Sequence, residues 1–249
     1  MSRLSRRNLL IAMLGSGALP RLARAATPGT VALDGNLTQG GLVRGQAPAG
    51  ARITFEETRL RLTPDGRFAF GFGRDHADDA ALDIVYADGR KETRSLKVAK
   101  REYQIQRIDG LPEQMVTPPP EALERIARDN MLIGAARSRD TDCEGFAGDF
   151  RWPVKGPISG VYGSQRILDG EPRRPHFGVD IAAPEGTSIA APTAAVVAMA
   201  EPDMYYTGQT VILDHGHGIS TSYLHMSRTD VKIGDVLAQG EVFGAVGKT

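Results

Sequence analysis

Thr187-Ser188-Ile189-Ala190-Ala191-Pro192, followed at once by Ala195-Val196-Val197-Ala198, sets the texture of the C-terminal half of this chain. Both are short runs of β-branched and small residues, punctuated by Pro184, Gly186 and Pro192. Such runs read as strands, because β-branched side chains lose rotamer freedom against a helical turn and pack well on a pleated surface. Thr210 to Leu213, Ile219 to Tyr223, Asp235 to Leu237 and Phe243 to Val246 repeat the pattern. Residues 150–249 are therefore expected to form an antiparallel all-β unit of many short strands.

Working towards the N-terminus, residues 28–108 show strand alternation of a second kind. Ala51-Arg52-Ile53-Thr54-Phe55 alternates, and Arg67-Phe68-Ala69-Phe70-Gly71-Phe72 places three phenylalanines on one face. Thr63-Pro64-Asp65-Gly66 and Ala87-Asp88-Gly89 carry turn chemistry between the runs. The expectation is a small antiparallel β-sandwich-like accessory module. Between the two β units, residues 109–149 read as a linker. Its prolines, Pro118 to Pro120, stop a strand and prepare a helix start. Leu123, Ile126, Ala127, Asn130 and Ile133 then recur at helical spacing, interrupted by polar Asn130, which predicts one linking helix over about 119–136 packed on a neighbour. The fold class expected is mainly β.

The 249 residues hold 30 basic and 30 acidic side chains, but the balance is uneven. Residues 1–25 contain five arginines and no acid, which leaves 25 basic against 30 acidic side chains in the body. A body of that sign has no electrostatic footprint for nucleic acid. Ser5-Arg6-Arg7-Asn8-Leu9-Leu10-Ile11 is a twin-arginine signature before an apolar run from Leu9 to Leu19, and Ala23-Arg24-Ala25 supplies small residues for cleavage. The run is shorter than the ~20 residues a membrane span needs. Export of the folded protein to the periplasm or cell envelope is the expectation, with no membrane span after cleavage. Cys143 is the single cysteine, so no intrachain disulfide exists. Its neighbours Asp142 and Glu144 would raise the thiol pKa, which argues against a nucleophile.

Four of the five histidines, His176, His215, His217 and His225, fall within fifty residues. His176 and Asp180 offer an imidazole nitrogen and a carboxylate oxygen, both suited to zinc. On a straight strand their Cα atoms would stand ~13 Å apart, too far to share one metal. Gly178 between them permits the bend that sharing requires. Tyr223 lies two residues before His225, so on a regular strand both would face the same way. Arg166 is a candidate for a substrate carboxylate or carbonyl, or for a fold-stabilising salt bridge.

Several motifs in order carry a resemblance. Gly163-Ser164-Gln165-Arg166, His176-Phe177-Gly178-Val179-Asp180-Ile181-Ala182-Ala183-Pro184-Glu185-Gly186-Thr187, Asp214-His215-Gly216-His217-Gly218 and Tyr223-Leu224-His225 together resemble the lysostaphin-like (LytM-type) zinc metalloendopeptidases. The likeness spans about 150–249. It implies an antiparallel β-fold with a groove over a zinc ion, and peptidoglycan as substrate, cut in its cross-links or stem peptides. It further implies His176 and Asp180 as zinc ligands, and His225 as the catalytic histidine beside the metal. Tyr223, Arg166 and His215 become groove candidates. In that family the third ligand comes from a His-x-His motif after the Gly-rich run that here reads Gly244-Ala245-Val246-Gly247-Lys248-Thr249. No such motif follows in this sequence, and the expectation is a domain cut short before it. The alternative is a non-catalytic wall-binding or amidase-activating module with a degenerate metal site.

Overall fold

Alternation along the phenylalanine strand puts its aromatic face into a closed core. In this computed structural model, residues 29–108 and 118–248 are described, so the export segment expected over 1–25 lies outside the described residues. Strands β1 (Ala32–Gly35), β2 (Leu42–Gln46), β3 (Arg52–Phe55), β4 (Thr58–Arg59), β5 (Arg67–Gly71), β6 (Asp79–Val85) and β7 (Lys91–Lys97) form two antiparallel sheets. Their orders are β1-β2-β5 and β4-β3-β6-β7. Between the sheets lie Val43, Ile53, Phe55, Phe68, Phe70, Phe72, Leu82, Ile84 and Leu96, all buried. Phe55 stacks on Phe70 with ring centroids 4.4 Å apart. Aromatic contact of this kind adds ~1 kcal/mol to what the buried area contributes.

One glycine in this core is there because of its neighbour. Gly45 pairs directly with Phe68 across β2 and β5. The Phe68 ring lies over Gly45 so closely that an added Cβ would come within 2.1 Å of the ring tip.

The second β unit is built on a six-stranded sheet. Its members are β13 (Ser188–Ala190), β14 (Ala195–Met204), β15 (Gly208–Asp214), β16 (Ser220–Thr229), β17 (Val236–Leu237) and β18 (Val242–Val246), ordered β13-β18-β16-β15-β14-β17. One face buries Val197, Val211, Leu213, Met226 and Phe243. The opposite face offers Ala198, Met199, Met204 and Ile212 to α1 (Leu123–Arg137), the one α-helix among the described residues. Smaller strands precede these: β8 (Ile105–Ile108), β9 (Ile158–Gly160), β10 (Gln165–Leu168), β11 (Glu171–Pro172) and β12 (Asp180–Ile181). β9 pairs with β12, while β8 runs parallel to β10, which also pairs with β11. The mainly β architecture with one helix is the fold class read from the sequence.

The helix turns a different face inward from the one its apolar spacing suggests. Leu123 is 52% exposed, and Ala127 and Asn130 also face outward. Ala122, Asp129 and Ala136 are buried instead, with Ile126 and Ile133 partly buried between them. The reason is polar. Asp129 accepts a 2.7 Å hydrogen bond from the Tyr205 backbone N–H in the β14–β15 turn, and Arg128 pairs with it at 2.9 Å. Burial alone would raise the Asp129 pKa, but the Tyr205 N–H and the Arg128 guanidinium outweigh it and hold the carboxyl below its ordinary value. A buried carboxylate with two donors thus rotates the helix away from its apolar reading.

Gly45→Ala is expected to lower the stability of the protein by about 1–3 kcal/mol, the usual cost of overpacking a core. Urea unfolding followed by circular dichroism checks it, and an unchanged midpoint would show that the Phe68 ring yields freely.

Candidate metal centre

His176 sits in an irregular segment between β11 and β12, and the chain bends at Gly178 before Asp180 opens β12. The bend brings His176 Nε2 to 3.2 Å from Asp180 Oδ1. On the other side of the ring, His176 Nδ1 donates to the Val161 carbonyl at 3.2 Å. A carbonyl can only accept, so Nδ1 carries a proton, and the nitrogen on the Asp180 side, the one available to a metal, is Nε2. Two backbone bonds fix the residue further. His176 N–H donates to Ser164 at 2.8 Å, and the His176 carbonyl accepts from Gly163 N–H at 2.7 Å.

Asp180 needs space that its strand partner provides. β9 pairs Gly160 opposite Asp180, and a Cβ on Gly160 would stand 2.1 Å from Asp180 Oδ2. The carboxylate therefore occupies the volume where any other residue would carry a side chain.

His225 reaches the surface by a defect in β16. Between the Gln209–Met226 and Val211–Tyr223 pairs, β16 carries one residue more than β15. That bulge contains Leu224 and His225, and His225 adopts φ +57°, a left-handed conformation that costs a non-glycine residue about 1–3 kcal/mol. Its backbone N–H is held by the Thr207 carbonyl at 2.9 Å. Bulges of this kind re-aim side chains. The regular alternation that would place Tyr223 and His225 on one face is consequently broken. His225 is exposed, whereas Tyr223 turns in and packs edge-on against Phe243 with centroids 4.8 Å apart. Burial pushes the Tyr223 hydroxyl up to about 12.

The remaining candidates divide. Arg166 is exposed on β10, beside the turn that holds His176. His215 is fully buried, so it does not line a groove. Its Nδ1 donates to the Ala194 carbonyl at 2.9 Å, and Nε2 stands 2.8 Å from Thr221 Oγ1. Desolvation lowers its pKa, which keeps the ring neutral. His217 stacks on buried Phe146 at 4.2 Å and donates from Nδ1 to the Arg61 carbonyl at 3.0 Å, so it too is structural. Burial also pushes the Cys143 thiol up, reinforced by Asp214 and Glu144. A cleft of ≈ 360 Å³ lies between β1, β2 and Phe146, away from His176.

Two donors 3.2 Å apart suit one edge of a zinc tetrahedron. With metal–ligand distances of ~2.0–2.1 Å, tetrahedral geometry separates neighbouring ligand atoms by roughly 3.3 Å. The donor set, an imidazole whose Nδ1 is tied to a carbonyl and a carboxylate, is of the type zinc takes. Among the described residues no group of three or more His, Cys, Asp or Glu side chains is placed to hold a metal. The structure therefore joins two of the expected ligands and shows no third.

Gly160→Ala is expected to push the Asp180 carboxylate off His176. In a crystal structure of the variant, the 3.2 Å approach should be lost, and its persistence would show that the glycine is dispensable. His215 generates a pH effect of definite sign. Its folded pKa lies below its unfolded value near 6.5, so the unfolded chain binds the extra proton first. Stability is then full above about pH 6.5 and falls as the pH drops below it. Denaturant midpoints between pH 8 and pH 5 should show this fall, and His215→Gln should flatten it.

Residues 174–249 match the family model described as Peptidase family M23. Over 134 residues the chain is 32% identical to Cell division protein DipM of Caulobacter vibrioides, covering 54% of this chain and 20% of that protein. Over 102 residues it is 35% identical to Peptidoglycan DD-endopeptidase ShyA of Vibrio cholerae, covering 40% of this chain and 24% of that protein. The chain thus spans a quarter or less of the length of these relatives. A crystal structure from Pseudomonas aeruginosa, assigned to peptidase M23, superposes with a TM-score of 0.62 and 25% identity, covering 84% of this chain and 82% of that one. The ordered motifs, the antiparallel sheet and these likenesses converge on the segment from Arg174 onward, which matches peptidase family M23.

Proposed function

We propose that the protein is an exported, zinc-dependent endopeptidase that hydrolyses peptide cross-links or stem peptides of peptidoglycan. The observation that carries the reading is the pairing of His176 Nε2 with Asp180 Oδ1 at 3.2 Å, inside the segment that matches family M23. His176 and Asp180 are the metal ligands, and His225 is the catalytic histidine. Bound there, zinc would polarise the scissile carbonyl and lower the pKa of a water towards ~7. The chain's own groups do the rest. The Val161 carbonyl holds the His176 tautomer that presents Nε2, and the Gly160 gap holds Asp180 in reach. His225, exposed on its bulge, takes the proton of the attacking water or donates to the oxyanion. Arg166, exposed next to the ligand turn, is placed to meet a carboxylate of the stem peptide.

The substrate class rests on the resemblance and on the relative named as a peptidoglycan DD-endopeptidase. The twin-arginine signature over Ser5 to Ile11 supplies a matching address, outside the cytoplasmic membrane. No helix of the described residues is long and apolar enough to cross a membrane. The domain organisation proposed alongside is a signal segment over 1–25, an accessory β module over 28–108, a helical linker over 109–149 and the peptidase domain over 150–249.

A full catalytic set needs a third zinc ligand, expected from a His-x-His motif. Reading the coding region past Thr249 is the first test. A His-x-His there completes the ligand set, whereas a stop codon favours a non-catalytic wall-binding or amidase-activating module. In the gene product carrying that motif, His176→Ala, Asp180→Ala and His225→Ala should each reduce release of peptides from purified sacculi by at least about 10³-fold. Wild-type release by any of the three would remove that residue from the mechanism. Binding to sacculi with no release by the unsubstituted protein would establish the second reading.

A further inference from the structure

One buried guanidinium links the β-sandwich to the turn that carries His176. Arg74 follows β5 and is only 9% exposed. Its Nε donates to the Gly163 carbonyl at 2.8 Å. Gly163 in turn donates its N–H to the His176 carbonyl at 2.7 Å. Arg74 thus stands two hydrogen bonds from the backbone of the ligand histidine. The two ends of this link lie 89 positions apart in the chain, so nothing local requires it.

Arg74 is itself held on three sides. Its guanidinium carbon lies 4.3 Å from the centroid of the Tyr103 ring, and the Tyr103 hydroxyl donates to the Arg74 carbonyl at 2.9 Å. Nη1 pairs with Asp75 at 2.6 Å. A guanidinium fixed by stacking has little rotamer entropy left to lose, so its Nε–H is directed at Gly163 rather than averaged. Tyr103 also presses on the same glycine. A Cβ on Gly163 would meet the Tyr103 ring at 2.0 Å, and Gly163 has φ +83°, so both the close packing and the left-handed backbone demand glycine there.

A second route runs through rings. Tyr103 meets Tyr162 edge-on at 6.3 Å, and Tyr162 meets Phe177, the neighbour of His176, at 6.3 Å. Tyr162 in turn fills the space over Gly40 of the sandwich, where a Cβ would stand 2.4 Å from its ring. Hydrogen bonds and ring contacts therefore leave the sandwich separately and arrive at the same dipeptide, His176-Phe177.

We propose that Arg74 is a positioning residue for His176, acting through Gly163, and that the N-terminal β-sandwich is thereby a structural part of the metal centre rather than a spacer. This rests on His176 being a metal ligand. Arg74 touches neither metal nor substrate; it sets the turn from which the imidazole projects.

The test titrates zinc chloride into the intact chain, reads the zinc Kd by competition with a chromophoric chelator, and follows the His176 ring by NMR, its signal assigned by its loss in His176→Ala. Arg74→Met keeps the aliphatic stem and removes the donor. The zinc Kd should rise about tenfold, the low end of what an outer-shell partner of a ligand contributes. Gly163 N–H exchange in metal-free protein should quicken by a similar factor. Asp75→Asn, which weakens an exposed pairing but leaves the stacking and the Arg74–Gly163 bond in place, should shift each by less than twofold. If Arg74→Met yields too little folded protein, Tyr103→Phe removes only the hydroxyl that anchors Arg74 and should shift both readouts the same way by less. Zinc affinity and Gly163 exchange within twofold of wild type in Arg74→Met, with His176→Ala still abolishing the titration, overturn the positioning role. Equal titration of wild type and His176→Ala instead overturns the metal reading, and the proposal falls with it.

Discussion

Backbone polar groups in the segment from Val161 to Ser164 must find partners, and much of the site follows from how they do. The segment is too tightly turned to continue the β9 ladder, so its donors and acceptors are left over. Val161 gives its carbonyl to His176 Nδ1, to Ser164 N–H and to the Ser164 hydroxyl. Gly163 gives its N–H to His176 and its carbonyl to Arg74. Ser164 gives its carbonyl to His176 N–H. One four-residue turn thereby fixes which histidine nitrogen faces the carbonyl, its backbone position and its tie to the sandwich. Asp180 is brought to the same place by a separate ladder, β12 on β9, whose Gly160 leaves the carboxylate its room.

What could be read in advance was whatever depends on local pattern. Phe68, Phe70 and Phe72 alternate, and period two is a backbone property, so their shared burial was legible. The bend at Gly178 was legible for a related reason, since a straight strand cannot bring residues four apart onto one metal. Features set by a distant partner were not. The buried face of the helix is one such feature, because Asp129 is held by a turn 76 residues away. β14 runs on through Pro202 to Met204, since the proline falls in a bulge where no ladder donor is needed. The bulge that exposes His225 has no glycine to announce it, and its cost is met by the pairing on either side. β8 joining β10 in parallel, and Arg74 reaching Gly163, are likewise visible only once the chain is folded.

The sandwich also meets the loop that precedes the second β unit through Arg44, Arg61 and Arg67, which pair with Asp149, with Asp140 and Asp142, and with Glu144. Their number invites the view that charge holds the two β units together. The magnitudes say otherwise. Every one of these carboxylates is at least 40% exposed, and exposed ion pairs contribute a median of ~0–1 kcal/mol each, less in salt. Phe146, in the same loop, is fully buried against His217, and burying a side chain of that size contributes roughly 2–3 kcal/mol. Arg74 is buried with its Nε satisfied, so separating the units would strand a charged donor without solvent unless the whole contact opened. Apolar burial and enclosed hydrogen bonds such as Arg74 to Gly163 therefore hold the units together more than the exposed ion pairs do. The loop from Asp140 to Asp149 fixes the far side of that contact and Arg74 the near side, and the turn carrying His176 lies on the near side.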